Sequence, residues 1–259
     1  MGKDWRLSLL DENELTKDPI FRHDLSFVGV SNISKQYYCE AKVEQAYING
    51  EIPTELKDIG TNLHDEIFAM EQVNREELVK HIEKAPSLAA TFRLCAEVGK
   101  LRVIGQPDAV VFEKGLPKWL IELKTTQGDH TRMWRDQVIQ VRIYSLLLEK
   151  MGFDCSKLKL VLIRMRQKGN LDSYEKEDLL ALVHDALKKK RTKVLETEYS
   201  MKFFILAYIA KEAEEAILWA QDYWLNTREP IPTKKVSKCK SCEYNDVCTY
   251  SLFKANQML

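Results

Sequence analysis

Apolar and polar positions alternate at helical spacing after Ser31, a suitable N-cap, with Ile33, Tyr37, Glu40, Val43 and Tyr47 stepping along one side until Asn49-Gly50 stops the pattern. This predicts one helix with Cys39 inside it. Beyond a Pro53 loop, Thr61 is the expected cap of a second helix carrying Leu63, Ile67, Phe68 and Met70, which fades into a break at Pro86-Ser87. From residue 91 the period falls to that of strands. Thr91 to Ile104 predicts one or two, Asp108 to Phe112 another and Trp119 to Thr125 a third, with turns at Gly105-Gln106-Pro107 and Lys114-Gly115-Leu116-Pro117. A long amphipathic helix is predicted from Trp134 to Met151, stopped by Gly152, then a strand over Lys157 to Met165 and two helices near 175–193 and 203–226. The first 30 residues show no clear period. Helices, a run of strands, a helix, a strand and more helices make an α/β domain wrapped in helices.

Composition narrows the class of protein. With 259 residues, 39 basic and 39 acidic side chains and 45% hydrophobic residues, the chain has ordinary globular usage and no whole-molecule field to attract nucleic acid. Any such binding must come from local patches, for which Arg164, Arg166 and Lys168 on one strand and Lys234, Lys235, Lys238 and Lys240 in the tail are candidates. The longest apolar run, Phe203 to Ala210, is too short to cross a bilayer. The expectation is a cytoplasmic chain, or a nuclear or organellar one in a eukaryote, with no membrane partner. Three of the six cysteines crowd into Cys239-x2-Cys242-x5-Cys248, a spacing that points to metal ligation before disulfides. Cys95 and Cys155 read as buried apolar thiols.

Candidate chemistry lies on the strands. Side chains two apart share a face, so Leu120, Glu122 and Lys124 point one way while Trp119, Ile121 and Leu123 point the other. If strands 108–112 and 118–124 form a hairpin, Asp108 lies across from the end that carries Glu122 and Lys124. Two hard carboxylates beside a cation are the equipment of metal-dependent phosphodiester cleavage: Asp108 and Glu122 as ligands of Mg²⁺ or Mn²⁺, the Leu123 carbonyl as another, and Lys124 stabilising developing charge. His64, four residues after Gly60, is a further ligand candidate, and Gln137, Gln140 and Tyr144 form a polar stripe suited to a phosphate or a base.

Gly60-x3-His64, Gly105-Gln106-Pro107-Asp108, Ile121-Glu122-Leu123-Lys124-Thr125 and Gln140-x3-Tyr144, in this order, resemble the PD-(D/E)xK nuclease superfamily in its RecB-like branch. With Cys39, Cys239, Cys242 and Cys248 added, the chain is similar to the iron-sulfur members, the CRISPR-adaptation nucleases and exonuclease V proteins. The resemblance implies a restriction-endonuclease-like mixed sheet flanked by helices within a single nuclease domain. Its parts would be an N-terminal helical part (31–90), a catalytic core (91–168) and C-terminal helices with the cysteine tail (169–259). It implies His64, Asp108, Glu122 and Leu123 as metal ligands, Lys124 as the catalytic lysine, and Gln140 and Tyr144 as the DNA-contacting pair. The four cysteines would hold a 4Fe-4S cluster that joins the chain's ends. Single-stranded DNA, cut exonucleolytically from 5′ to 3′, is the implied substrate, with CRISPR-adaptation or repair proteins as partners. The rival reading is a non-catalytic nucleic-acid-binding or scaffold protein with zinc on the same four thiolates. The presence together of His64, Asp108, Glu122 and Lys124 favours the nuclease.

Overall fold

A computed structural model describes residues 20–52, 75–84, 87–126, 128–167, 176–195 and 199–255. The predicted Thr61 helix, Gly60 and His64 lie outside them. In chain order the elements are β1 (Val28–Gly29), α1 (Val30–Tyr38), α2 (Glu40–Asn49), α3 (Arg75–Lys84), β2 (Ser87–Ala90), β3 (Leu94–Val98), β4 (Leu101–Gly105), β5 (Ala109–Glu113) and β6 (Leu116–Thr126). They continue with α4 (Arg135–Lys150), β7 (Lys159–Gln167), α5 (Lys176–Lys188), β8 (Lys193–Leu195), β9 (Tyr199–Ala207), α6 (Ala210–Trp224), α7 (Val236–Lys240) and α8 (Leu252–Ala255). None of these helices is long and apolar enough to cross a membrane.

Six strands form the main sheet in the order β2-β5-β6-β7-β9-β8, and a smaller sheet runs β1-β4-β3. In the main sheet only β6 and β7 run parallel, and α4 supplies the crossover that a parallel pair requires. On one face, Ile121, Leu123, Val161 and Ile163 pack against Val183, Ala186 and Leu187 of α5. On the other, Leu120 and Leu160 meet α4, whose far side is closed by the smaller sheet and by Ala213, Ile217 and Ala220 of α6. Helix α4 is therefore enclosed, and every residue from Ile139 to Leu148 except Arg142 is buried. Gly105 ends β4 where a Cβ would meet the Tyr144 ring at 2.7 Å and Val30 at 2.8 Å, so only glycine admits this approach of strand to helices.

The structure departs from the sequence reading at three places. Instead of one helix over 31–49, the backbone breaks at Cys39 (φ −172°, ψ 116°), which leaves the cysteine between α1 and α2. The Glu40 N–H donates to the Ile231 carbonyl at 3.2 Å, and the Glu40 carboxylate accepts the Ile231 N–H at 2.6 Å, so the first turn of α2 is satisfied by the tail and not by α1. The predicted helix 203–226 is strand at its front: β9 pairs with β7 along nine residues, and the helix begins only at Ala210. A short apolar run carries no period of its own, and the open edge of β7 decides the outcome. The break read at Pro86-Ser87 is followed at once by strand: residues 87–90, assigned to no element from the sequence, pair with β5.

Candidate active site

The alternation along β6 places Glu122 and Lys124 on the face that α4 covers. Glu122 is 2% exposed, so this is not the solvated side of an amphipathic strand. The hairpin of β5 and β6 aligns Ala109 with Ile121, and Asp108, one residue earlier, accepts the Leu123 N–H at 2.6 Å. Its carboxylate is thereby fixed at the edge of the Glu122 position. The Lys124 ammonium donates to Glu122 Oε1 at 2.7 Å. Burial opposes the lysine's charge, but the Glu122 and Asp108 carboxylates outweigh it and hold the Lys124 pKa above its ordinary value.

Gln140 reaches the same carboxylate from α4, its amide donating to Glu122 Oε1 at 2.6 Å and lying 3.2 Å from the Tyr144 hydroxyl. Gln140, Tyr144 and the strand pair thus form one connected cluster. The stripe predicted to face a substrate is closed over: Gln140 is 7% and Tyr144 4% exposed, and the tyrosine ring belongs to the core beside Gly105. It presents no open face for stacking. Burial, and then the nearby Glu122 charge, raise the Tyr144 pKa well above its usual value, which keeps the hydroxyl protonated. Gln137 on the same helix is half-buried.

Asp108, Glu122 and the Leu123 carbonyl are hard oxygen donors, the set that Mg²⁺ or Mn²⁺ takes alongside water. Among the described residues, no three His, Cys, Asp or Glu side chains gather at the spacing of a single ion. The strand site offers two such side chains, Asp108 and Glu122, and a backbone oxygen, while His64 lies outside the described residues.

Trp134, read only as the start of a helix, stands beside this cluster. Arg164 is the register partner of Lys124, its guanidinium lies 5.9 Å from the Trp134 ring, and Trp134 is 48% exposed. An aromatic at the mouth of a helix carries no sequence signal of its own. Only the β6–β7 register brings it to the site. Asp136, in the first turn of α4, feels the charges of both Lys238 and Lys124, although burial is the largest influence and raises its pKa.

At the other end of α1, Cys39, Cys239, Cys242 and Cys248 line one pocket with Tyr38, Lys42 and Lys238, and no carboxylate. The Thr233 N–H donates to Cys39 Sγ at 3.3 Å. Burial pushes the Cys242 and Cys248 thiols up, and the charge of Cys39 adds to it in both. Cys95 on β3 and Cys155 before β7 do not line this pocket; burial pushes the Cys155 thiol up to about 12.

Residues 33–249 match the PD-(D/E)XK nuclease superfamily. The chain is similar to the crystal structure of SSO0001 at 15% identity over 93% of each chain, with a TM-score of 0.45. No curated protein matches the sequence. With the match spanning most of its length, the chain belongs to the PD-(D/E)XK nuclease superfamily.

Proposed function

We propose that the protein is a metal-dependent exonuclease of single-stranded DNA. The observation that carries the reading is a carboxylate with 2% exposure, Glu122, held by Lys124 and Gln140 within reach of Asp108. Burying a charge is unfavourable unless its partners offset the lost hydration, and this strand gains nothing structural from a carboxylate that an apolar side chain would not supply. Asp108, Glu122 and the Leu123 carbonyl, with His64 as the resemblance implies, would hold Mg²⁺ or Mn²⁺, which when bound would supply polarisation of the scissile phosphate and an activated water. Lys124 offers its ammonium to the charge that grows on the phosphate oxygens. Gln140 fixes the rotamer of Glu122, and Tyr144 fixes Gln140. The tyrosine is a positioning residue in this reading, and the open ring beside the site is that of Trp134.

The four cysteines form an all-sulfur donor set, which selects zinc or an iron-sulfur cluster. A single tetrahedral zinc with Zn–S near 2.3 Å requires thiols about 3.8 Å apart. The four thiols line one pocket with no carboxylate, and a 4Fe-4S cluster bound there would join α2 to the tail.

End-labelled single-stranded and duplex DNA incubated with Mn²⁺, Mg²⁺ or chelator tests the activity, its polarity and its mode together. Metal-dependent shortening from the 5′ label is expected, with Asp108→Asn and Lys124→Ala each slower by on the order of 10²-fold. Folded wild-type protein that binds DNA and never cuts it overturns the nuclease reading in favour of a scaffold.

A further inference from the structure

A groove of about 300 Å³ runs beside the cysteine pocket, between α1, the start of α4, α6 and the tail. Four cations line it: Arg135, Lys234, Lys235 and Lys238. Among the described residues none of the four sits in a salt bridge, unlike Lys42 with Glu243 and Arg142 with Glu212. The Lys238 ammonium donates to the Tyr38 carbonyl at 2.8 Å and lies 3.9 Å over the Tyr38 ring. In a chain of zero net charge, so concentrated a positive groove is a local site for an anion.

Aromatic faces accompany the charge. Trp219 is 41% exposed and packs at 4.6 Å on Tyr37, over which the Arg135 guanidinium lies at 4.9 Å. A cationic groove beside an exposed aromatic ring suits a flexible phosphate backbone whose bases can stack. A duplex offers no free base faces to such rings. Arg135, which lines the groove, directly follows Trp134, whose ring lies 5.9 Å from the guanidinium of Arg164, the register partner of Lys124, so this end of the groove faces the catalytic cluster.

We infer that this groove binds single-stranded nucleic acid and delivers it to the Asp108–Glu122–Lys124 cluster. The inference rests on the proposed nuclease function for its direction, and its test reads binding alone. Lys234 and Lys235 are at the surface, so Lys234→Gln/Lys235→Gln leaves the packing intact. With cleavage silenced by omitting divalent metal, anisotropy of a labelled oligo(dT) 20-mer is followed against salt. Each phosphate contact contributes about 0.7 to the slope of log K against log salt for a single strand, so the double variant should lose about 1.4 from it. Trp219→Ala should weaken oligo(dT) binding at least about 5-fold with Trp219→Phe close to wild type, as stacking requires. Wild-type protein should prefer the oligonucleotide to a 20-base-pair duplex. An unchanged slope in the double variant overturns the groove, even if the enzyme cuts DNA. A reduced slope in a protein that never cuts leaves the groove standing and removes the nuclease reading.

Discussion

Replacing Gln140 by Leu separates the positioning of Glu122 from its chemistry. The Gln140 amide is 2.6 Å from Glu122 Oε1, an oxygen it shares with Lys124 at 2.7 Å, and both Gln140 and Glu122 are buried. A hydrogen bond to a charged group contributes about 1.5–3 kcal/mol net, and leucine matches the size of the amide without its donor. In a chain of 259 residues each kcal/mol moves the melting temperature by about 2–4 °C, which gives a loss of about 3–12 °C. A carboxylate released from its rotamer also binds metal less well, and loss of a partner behind a ligand typically costs 10- to 100-fold in metal affinity or activity. Cleavage of labelled single-stranded DNA is measured across a Mn²⁺ titration, beside a thermal melt. The half-saturating Mn²⁺ concentration should rise about 10- to 100-fold, with most of the rate restored at saturation. Tyr144→Phe, which removes only the hydroxyl 3.2 Å behind Gln140, should shift it less. A lower melting temperature with an unmoved Mn²⁺ midpoint would refute the reasoning, because Gln140 would then be packing and nothing more.

Two further predictions concern the join between α2 and the tail. Glu40 is wholly buried and holds Arg228 at 2.5 and 2.7 Å, the Ile231 N–H at 2.6 Å and Gln36 at 2.8 Å, so Glu40→Ala should destabilise the fold by about 3–5 kcal/mol and expose residues 226–235 to protease in limited digestion. Cys39→Ser should lose bound metal while Cys155→Ala retains it, as read by elemental analysis of anaerobically purified protein; about four iron atoms per chain are expected in the wild type, and one zinc with no iron would replace the cluster with a structural zinc.

Whether a residue was legible in the sequence depended on how near its partners lie along the chain. Glu122 and Lys124 were legible because a strand's alternation fixes which side chains share a face, and Asp108 because a hairpin with one short turn leaves little choice of register. The break at Cys39 was not, since the groups that satisfy the start of α2 there belong to Ile231, far along the chain. The front of the predicted last helix failed for a related reason: Phe203 to Ala207 is apolar on every side, and its strand state is decided by pairing with β7. The stripe of Gln140 and Tyr144 was visible as polar spacing, but spacing alone cannot say what faces it. Helix α4 is closed by the main sheet, the smaller sheet, α1 and α6, and on an enclosed helix a polar side chain must find its partner inside the protein. Glu122 is itself a buried carboxylate in need of a donor, so the glutamine and the glutamate each account for the other's burial. The chemistry at the strand therefore requires the helix that hides it, and the cluster meets solvent at the half-buried Lys124, with the exposed Trp134 beside it.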